Sequence, residues 1–293
     1  MQRLFLSSAC TTLLITLPCF SHGSHYITKY ISSKDQAYHQ KDVSHTIILW
    51  IHGTRFIKTH GFKAVFNKKS QLKNALALTQ IRYYRRIIDT LAEKYSVEKD
   101  NLYFFGWNGK LSHGERKKGA SYLYNALATL KKQYEKQHNI SPKIIIIGHS
   151  HGGNVILHMA THHADTSSLL IDKVVLLACP VQDSMYPYLK SSLFKKIYVL
   201  YSHQDMIQRL APDFLKSEKF CLKNIKFFPF SKRLFPDQDN LTQAQIIIDG
   251  AGPAHNDFVK PLFLSSLPML LAHMETWGLV FSPDRYIAHI LTK

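Results

Sequence analysis

The chain of 293 residues is 45% hydrophobic and 19% charged, which excludes wholesale disorder and provides for a large buried core. Its formal charge is +17, carried by basic residues scattered in small groups such as Arg82, Arg85, Arg86 and Arg116, Lys117, Lys118. No nucleic-acid-binding motif accompanies them, so the charge argues for a solvated basic surface or an anionic membrane surface and against a nucleic-acid partner.

At the N-terminus, Arg3 precedes an apolar stretch over residues 4–17, followed by Pro18 and a small, polar region at residues 21–24. This is the order of a secretory leader. Residues 1–23 are therefore expected to be a signal peptide or N-terminal anchor, the protein to be exported, and residues 24–293 to form the folded domain. Cys10 and Cys19 fall within the leader, leaving Cys179 and Cys221. Cys179 ends an apolar strand pattern and is expected as a buried thiol. The cysteine spacing is not that of a metal site.

Residues 24–43 are polar and read as a lead-in loop. Residues 45–51 (HTIILWI) form a continuous apolar run of strand length, as expected of a parallel strand buried on both faces. The run ends in His52-Gly53-Thr54-Arg55, where a backbone N–H of Gly53 or Thr54 can face a reacting carbonyl oxygen. Residues 59–70 read as a basic loop or short helix. The stripe of Leu72, Leu76, Ile81, Tyr84, Ile88 and Leu91 predicts one long helix over residues 71–95. Residues 101–107 (NLYFFGW) read as a strand, Asn108-Gly109 as a turn, and residues 115–137 as a helix with Ala120, Leu123, Leu127 and Leu130 inward.

Lys143 then opens KIIIIGHSHGGN, four isoleucines running into Gly148-His149-Ser150-His151-Gly152. A buried strand, a sharp turn carrying a serine, and a helix make up the G-x-S-x-G nucleophile elbow. The glycines leave no Cβ to clash where strand and helix meet, and they are expected to ease the strained turn. The helix continues past Gly153; His158 and His162 share a face in it, but no acidic or cysteine partner is fixed beside them, so no metal is expected. Strands follow at residues 172–178 and 196–201, with a helix over residues 186–195 between them. The rhythm breaks over residues 206–242, an expected cap or insertion. Residues 243–249 read as the last strand, the glycine-rich turn at residues 250–255 carries His255, and a helix over residues 257–277 closes the pattern.

A serine hydroxyl is a weak nucleophile and needs a base within reach and an acid to orient that base. Asp205 and His255 each follow a strand, in the order serine, acid, histidine, at the sheet edge where Ser150 emerges. Asp183 is the rival acid. Asp249 and Asp257 read as a strand end and a helix cap. His149 and His151 read as packing or pocket residues. With His255 as base and Asp205 orienting it, the N–H groups of His151 and of Gly53 or Thr54 would bind the oxyanion, and no cofactor is required.

On Ile51-His52-Gly53, Gly148 to Gly153, Asp205 and His255, the chain resembles the α/β-hydrolase superfamily, particularly its lipase- and esterase-like members, from residue 45 to the C-terminus. Trp107, followed by a helix with Arg116 and Ala120, also resembles the stretch before the elbow in lipase-like hydrolases, including relatives of enzymes that deacylate lipid anchors. The resemblance implies an α/β fold, a mostly parallel central sheet flanked by helices, and a serine hydrolase acting on carboxylic esters, lipid or acyl esters among them. Thioester or amide cleavage on the same triad is the alternative chemistry. A non-catalytic binding protein that keeps the fold is the alternative of a different class.

Overall fold

The computed structural model describes residues 26–32, 45–54, 70–209, 233–277 and 285–291. Nine strands among them form one sheet: β1 (Tyr26–Ser32), β2 (Thr46–Ile51), β3 (Gln71–Asn74), β4 (Leu102–Gly106), β5 (Lys143–His149), β6 (Lys173–Leu177), β7 (Ile197–Tyr201), β8 (Leu241–Ile248) and β9 (Arg285–Leu291). Their order is β1-β9-β8-β7-β6-β5-β2-β4-β3, and every pair is parallel except β3 with β4. The helices are α1 (Arg82–Tyr95), α2 (His113–His138), α3 (His151–His158), α4 (Tyr186–Leu189), α5 (Met206–Arg209) and α6 (Pro261–Trp277).

The apolar runs are continuous because both faces of the sheet are covered. Along β2, Ile48 and Trp50 join a core shared with α1 and α6, while Leu49 and Ile51 join a second core shared with α2, α3 and α4. Along β5, Ile145 and Ile147 face the first core and Ile144 and Ile146 the second. The elbow strand therefore lies inside the sheet, held between β6 and β2. The helix expected over residues 115–137 is α2, entered through Ser112, whose hydroxyl accepts the Glu115 N–H at 3.4 Å.

The structure departs from the sequence reading at four places. The predicted helix over residues 71–95 divides into β3, a 3-10 turn at Ala75–Leu78 and α1. Asn74 stops the strand and caps the turn by accepting the Leu76 N–H at 2.9 Å. Leu72 packs toward the second core while Tyr84 and Ile88 lie in the first, so the apparent stripe never was one face. Within residues 24–43, expected as a loop, lies β1, which pairs with β9 from Tyr26–Arg285 to Ser32–Leu291. The last strand is β9, beyond the final helix, and not residues 243–249. Of the helix expected over residues 186–195, only α4 forms. Phe194 is drawn into a bridge with Ile171 instead.

The leader, Cys221, residues 55–69 and residues 210–232 of the expected cap lie outside the described residues. Among the described residues no helix is long and apolar enough to cross a membrane.

Candidate active site

Ser150 occupies the turn between β5 and α3 with φ 54° and ψ −135°, a conformation costly for a residue with a Cβ. Its N–H donates to the Leu177 carbonyl at 2.8 Å, tying the turn to β6. The flanking glycines do not take up the strain, because the described glycines with positive φ are Gly109 and Gly250. They permit contact instead. A Cβ on Gly152 would lie 2.6 Å from the His52 carbonyl oxygen and 2.7 Å from that of Ile51. One on Gly148 would lie 2.5 Å from Ile156 Cδ1 and 2.9 Å from the Gly153 nitrogen. Gly153 rests on Cys179 in the same way, and Cys179 is a free, buried thiol whose pKa burial pushes up.

Asp205 follows β7 and is 1% exposed; its Oδ2 lies 2.7 Å from Nδ1 of His255, which is 7% exposed. Its Oδ1 accepts the Gln208 N–H at 3.0 Å, so one carboxylate both caps α5 and meets the imidazole. A carboxylate at Nδ1 calls for the proton there and leaves Nε2 as the basic nitrogen. Asp205, and not the exposed Asp183, is the carboxylate that reaches His255. Asp257 accepts the Ala254 N–H at 2.8 Å and Asp249 ends its strand at φ 47°, the roles expected of both. Ser150, 4% exposed, forms no hydrogen bond to His255 among the described residues. Such contacts commonly tighten only when substrate is bound.

His149 does more than pack. Its Nε2 lies 2.9 Å from the His255 carbonyl oxygen, and the two rings stand 4.7 Å apart, centroid to centroid. Burial, and then the neighbouring charge of His255, pushes its pKa down to about 3. It is therefore neutral at pH 7. His151 is held well below the usual histidine range by burial and then by Arg116; Asn154 donates to its Nδ1 at 3.0 Å.

The strand-end His52 fixes the backbone next to the serine. Its Nδ1–H donates to the Gly53 carbonyl at 2.5 Å, and its Nε2 accepts the Trp107 N–H at 3.2 Å. The Trp107 indole N–H returns a bond to the His52 carbonyl at 2.9 Å, with the two rings stacked. Both histidine nitrogens are thereby assigned. In a trans peptide the Thr54 N–H points opposite to the Gly53 carbonyl, away from His52. Gly53 itself presses on Ser150: a Cβ there would lie 2.6 Å from Ser150 Cβ and 3.2 Å from its Oγ. The His151 N–H opens α3, where first-turn N–H groups lack partners within the helix.

Three features escaped the sequence reading: the contact of His149 with His255, the lock between His52 and Trp107, and Gln208. Gln208 three residues after Asp205 is the spacing of a helix-start cap and could have been found. The other two join residues far apart in sequence and leave no local pattern. An open cleft of about 470 Å³ lies between β3 and α2, lined by Gln71, Asn74, Tyr103 and Tyr122 among others, and it contains none of Ser150, Asp205 and His255. Among the described residues no group of three or more His, Cys, Asp or Glu could hold a metal ion.

Residues 71–227, more than half of the chain and inclusive of Ser150 and Asp205, match the model of a family described as a PGAP1-like alpha/beta domain. His255 lies beyond the matched residues. No curated protein matches the sequence. Among solved structures, the chain is similar to a hyperthermophilic esterase from Pyrobaculum calidifontis, 12% identical over 82% of this chain and 80% of that one, with a TM-score of 0.43. It is also similar to a Pyrococcus furiosus esterase, 12% identical over 87% of this chain and 96% of that one, TM-score 0.41. A predicted hydrolase from Thermoplasma acidophilum is 13% identical over 82% and 90% of the two chains, TM-score 0.36.

Proposed function

The chain belongs to the PGAP1-like alpha/beta domain family, a family of α/β hydrolases, and from that premise we propose that it is a serine hydrolase of carboxylic esters, with Ser150 as nucleophile, His255 as base and Asp205 as the orienting acid. The observation that carries this reading is the buried 2.7 Å contact of Asp205 Oδ2 with His255 Nδ1 at the sheet edge that presents the strained Ser150. His255 Nε2 takes the Ser150 proton as Oγ attacks the ester carbonyl, and Asp205 stabilises the imidazolium that forms. The oxyanion falls to the N–H of His151 and that of Thr54, each donor worth roughly 3 kcal/mol in well-studied cases. The orientation of the Gly53 carbonyl toward His52 supports Thr54 over Gly53 as the second donor. The proton on His255 passes to the departing alcohol, and water, deprotonated by the same nitrogen, releases the acid from the acyl-enzyme.

The substrates are lipid or acyl esters. The +17 charge supports approach to an anionic membrane surface, and the leader-like residues 4–17 support an exported enzyme. Labelling with a fluorophosphonate probe tests the nucleophile. Wild type is expected to label and Ser150→Ala to lose both label and ester turnover. Full activity of Ser150→Ala on p-nitrophenyl acyl esters would sink the reading, and faster turnover of matched thioesters or amides would move it to that chemistry.

A further inference from the structure

From the contact across 106 residues between β5 and the loop after β8, we infer that His149 is a positioning residue for the base: its Nε2–H holds the His255 backbone carbonyl at 2.9 Å while Asp205 holds the ring. The inference rests on the hydrolase reading for its consequence in turnover, and on the hydrogen bond alone for its consequence in structure.

His255 lies on a turn that needs holding. The loop leading to it closes through a bridge between Ile248 and Ala251, passes Gly252 against Ser202, and enters a short 3-10 turn at His255 itself. A side chain that rides on so short a turn moves with its backbone. Asp205 fixes the ring, and the carbonyl end of the residue is otherwise tied only to its own short 3-10 turn. His149 supplies that second anchor from the last residue of β5, directly before Ser150, so that nucleophile and base are referred to one rigid element. The acceptor is a carbonyl oxygen, which requires the proton on Nε2 of His149. The 4.7 Å ring contact adds a wall on the same side. Because burial keeps His149 neutral, it performs this task without placing a second positive charge beside an imidazole that must become one.

Three substitutions separate reach from mere packing. A glutamine amide N–H extends from Cα about as far as imidazole Nε2, an asparagine amide only about as far as Nδ1, and phenylalanine keeps the ring without the donor. His149→Gln is expected to retain kcat, while His149→Asn and His149→Phe lower it about 10- to 100-fold with little change in KM, as displacement of a reacting group by a fraction of an ångström does. The Nδ1 proton between His255 and Asp205, followed as a low-field NMR resonance, is expected to persist in wild type and His149→Gln and to broaden in the other two. Wild-type kcat and an unaltered resonance in His149→Asn would overturn the inference, as would a His149→Gln enzyme as impaired as His149→Asn. The glutamine and asparagine pair decides the matter even where phenylalanine prevents folding. If the wild type neither labels with fluorophosphonate nor cleaves esters, the hydrolase reading fails, and the resonance in His149→Asn still decides whether His149 anchors His255.

Discussion

At the scale of single residues, the site is made by contact distances that tolerate no added atom. Gly152 meets two backbone carbonyls at the end of β2, and backbone cannot swing aside as a side chain can. Gly152→Ala is therefore expected to push α3 away from β2, to destabilise the fold by about 1–3 kcal/mol as overpacking does, and to displace the His151 N–H from the proposed oxyanion position. A lowered urea midpoint together with a lost fluorophosphonate label checks it; a neutral effect on both means the elbow relaxes freely. Asp205→Asn leaves the shape nearly intact but presents an amide where His255 Nδ1–H needs an acceptor. By analogy with triads of this type its kcat is expected to fall by roughly 10⁴-fold, measured at saturating ester with KM followed alongside. The proposed triad residues Ser150, Asp205 and His255 stand out in the sequence because each follows a strand with a clear apolar signature. His149 does not, because its role depends on which ring it touches, and that partner lies on another strand's loop.

Elements divide in the same way. β2, β5, β6 and β7 are central, buried on both faces, and announce themselves as apolar runs rich in Ile, Val and Leu. β1 and β3 are the sheet's edges and β9 pairs with an edge. Edge strands carry polar residues, as in YITKYIS, and can be very short, as in QLKN, so the apolar signal that reveals a strand is weakest there. β9 does alternate, with Tyr286, Ala288 and Ile290 buried, yet seven residues after a long helix give little local reason to expect a strand. A side-chain tie adds to its ladder bonds: the buried Tyr286 hydroxyl donates to the Trp277 carbonyl at 2.6 Å at the end of α6, with the two rings stacked 4.8 Å apart. Tyr286→Phe keeps the stack and removes the donor, leaving a helix-terminal carbonyl without it. A loss of about 1 kcal/mol is expected in chemical denaturation. Tyr286→Ala, which also removes the ring, is expected to cost about 3–5 kcal/mol and to loosen β9 and β1 together.

For the whole molecule, charge and buried imidazoles set the response to pH. The +17 formal charge already opposes compaction, and acid adds to it as histidines protonate. Three of those histidines are buried where protonation is unfavourable. His158 is wholly buried, and burial, followed by the charges of His113, Arg116, Lys117 and His162, lowers its pKa to about 3; His149 falls to about 3 and His151 well below its usual value. Below about pH 6.5 the unfolded chain binds protons at these sites and the folded chain does not, so stability falls with pH from about 6.5 toward 3 and is highest above that window. His149 and His158 each cost on the order of 2 kcal/mol by pH 5, and His151 acts in the same direction. The surface carboxylates Glu135 and Asp257, lowered chiefly by hydrogen bonds from Lys131 and Lys260, act in the same direction but only below their usual values near 4, and weakly, because they are exposed to solvent screening. The two contributions thus separate by window. His158→Phe removes one titrating ring while keeping an aromatic group against His113 and Tyr188, which flank it. It is expected to shrink the stability difference between pH 7 and pH 5 by about 2 kcal/mol in urea titrations. An unchanged difference would mean that His158 takes up its proton in the folded protein well above pH 3, and that the acid sensitivity belongs to His149 and His151.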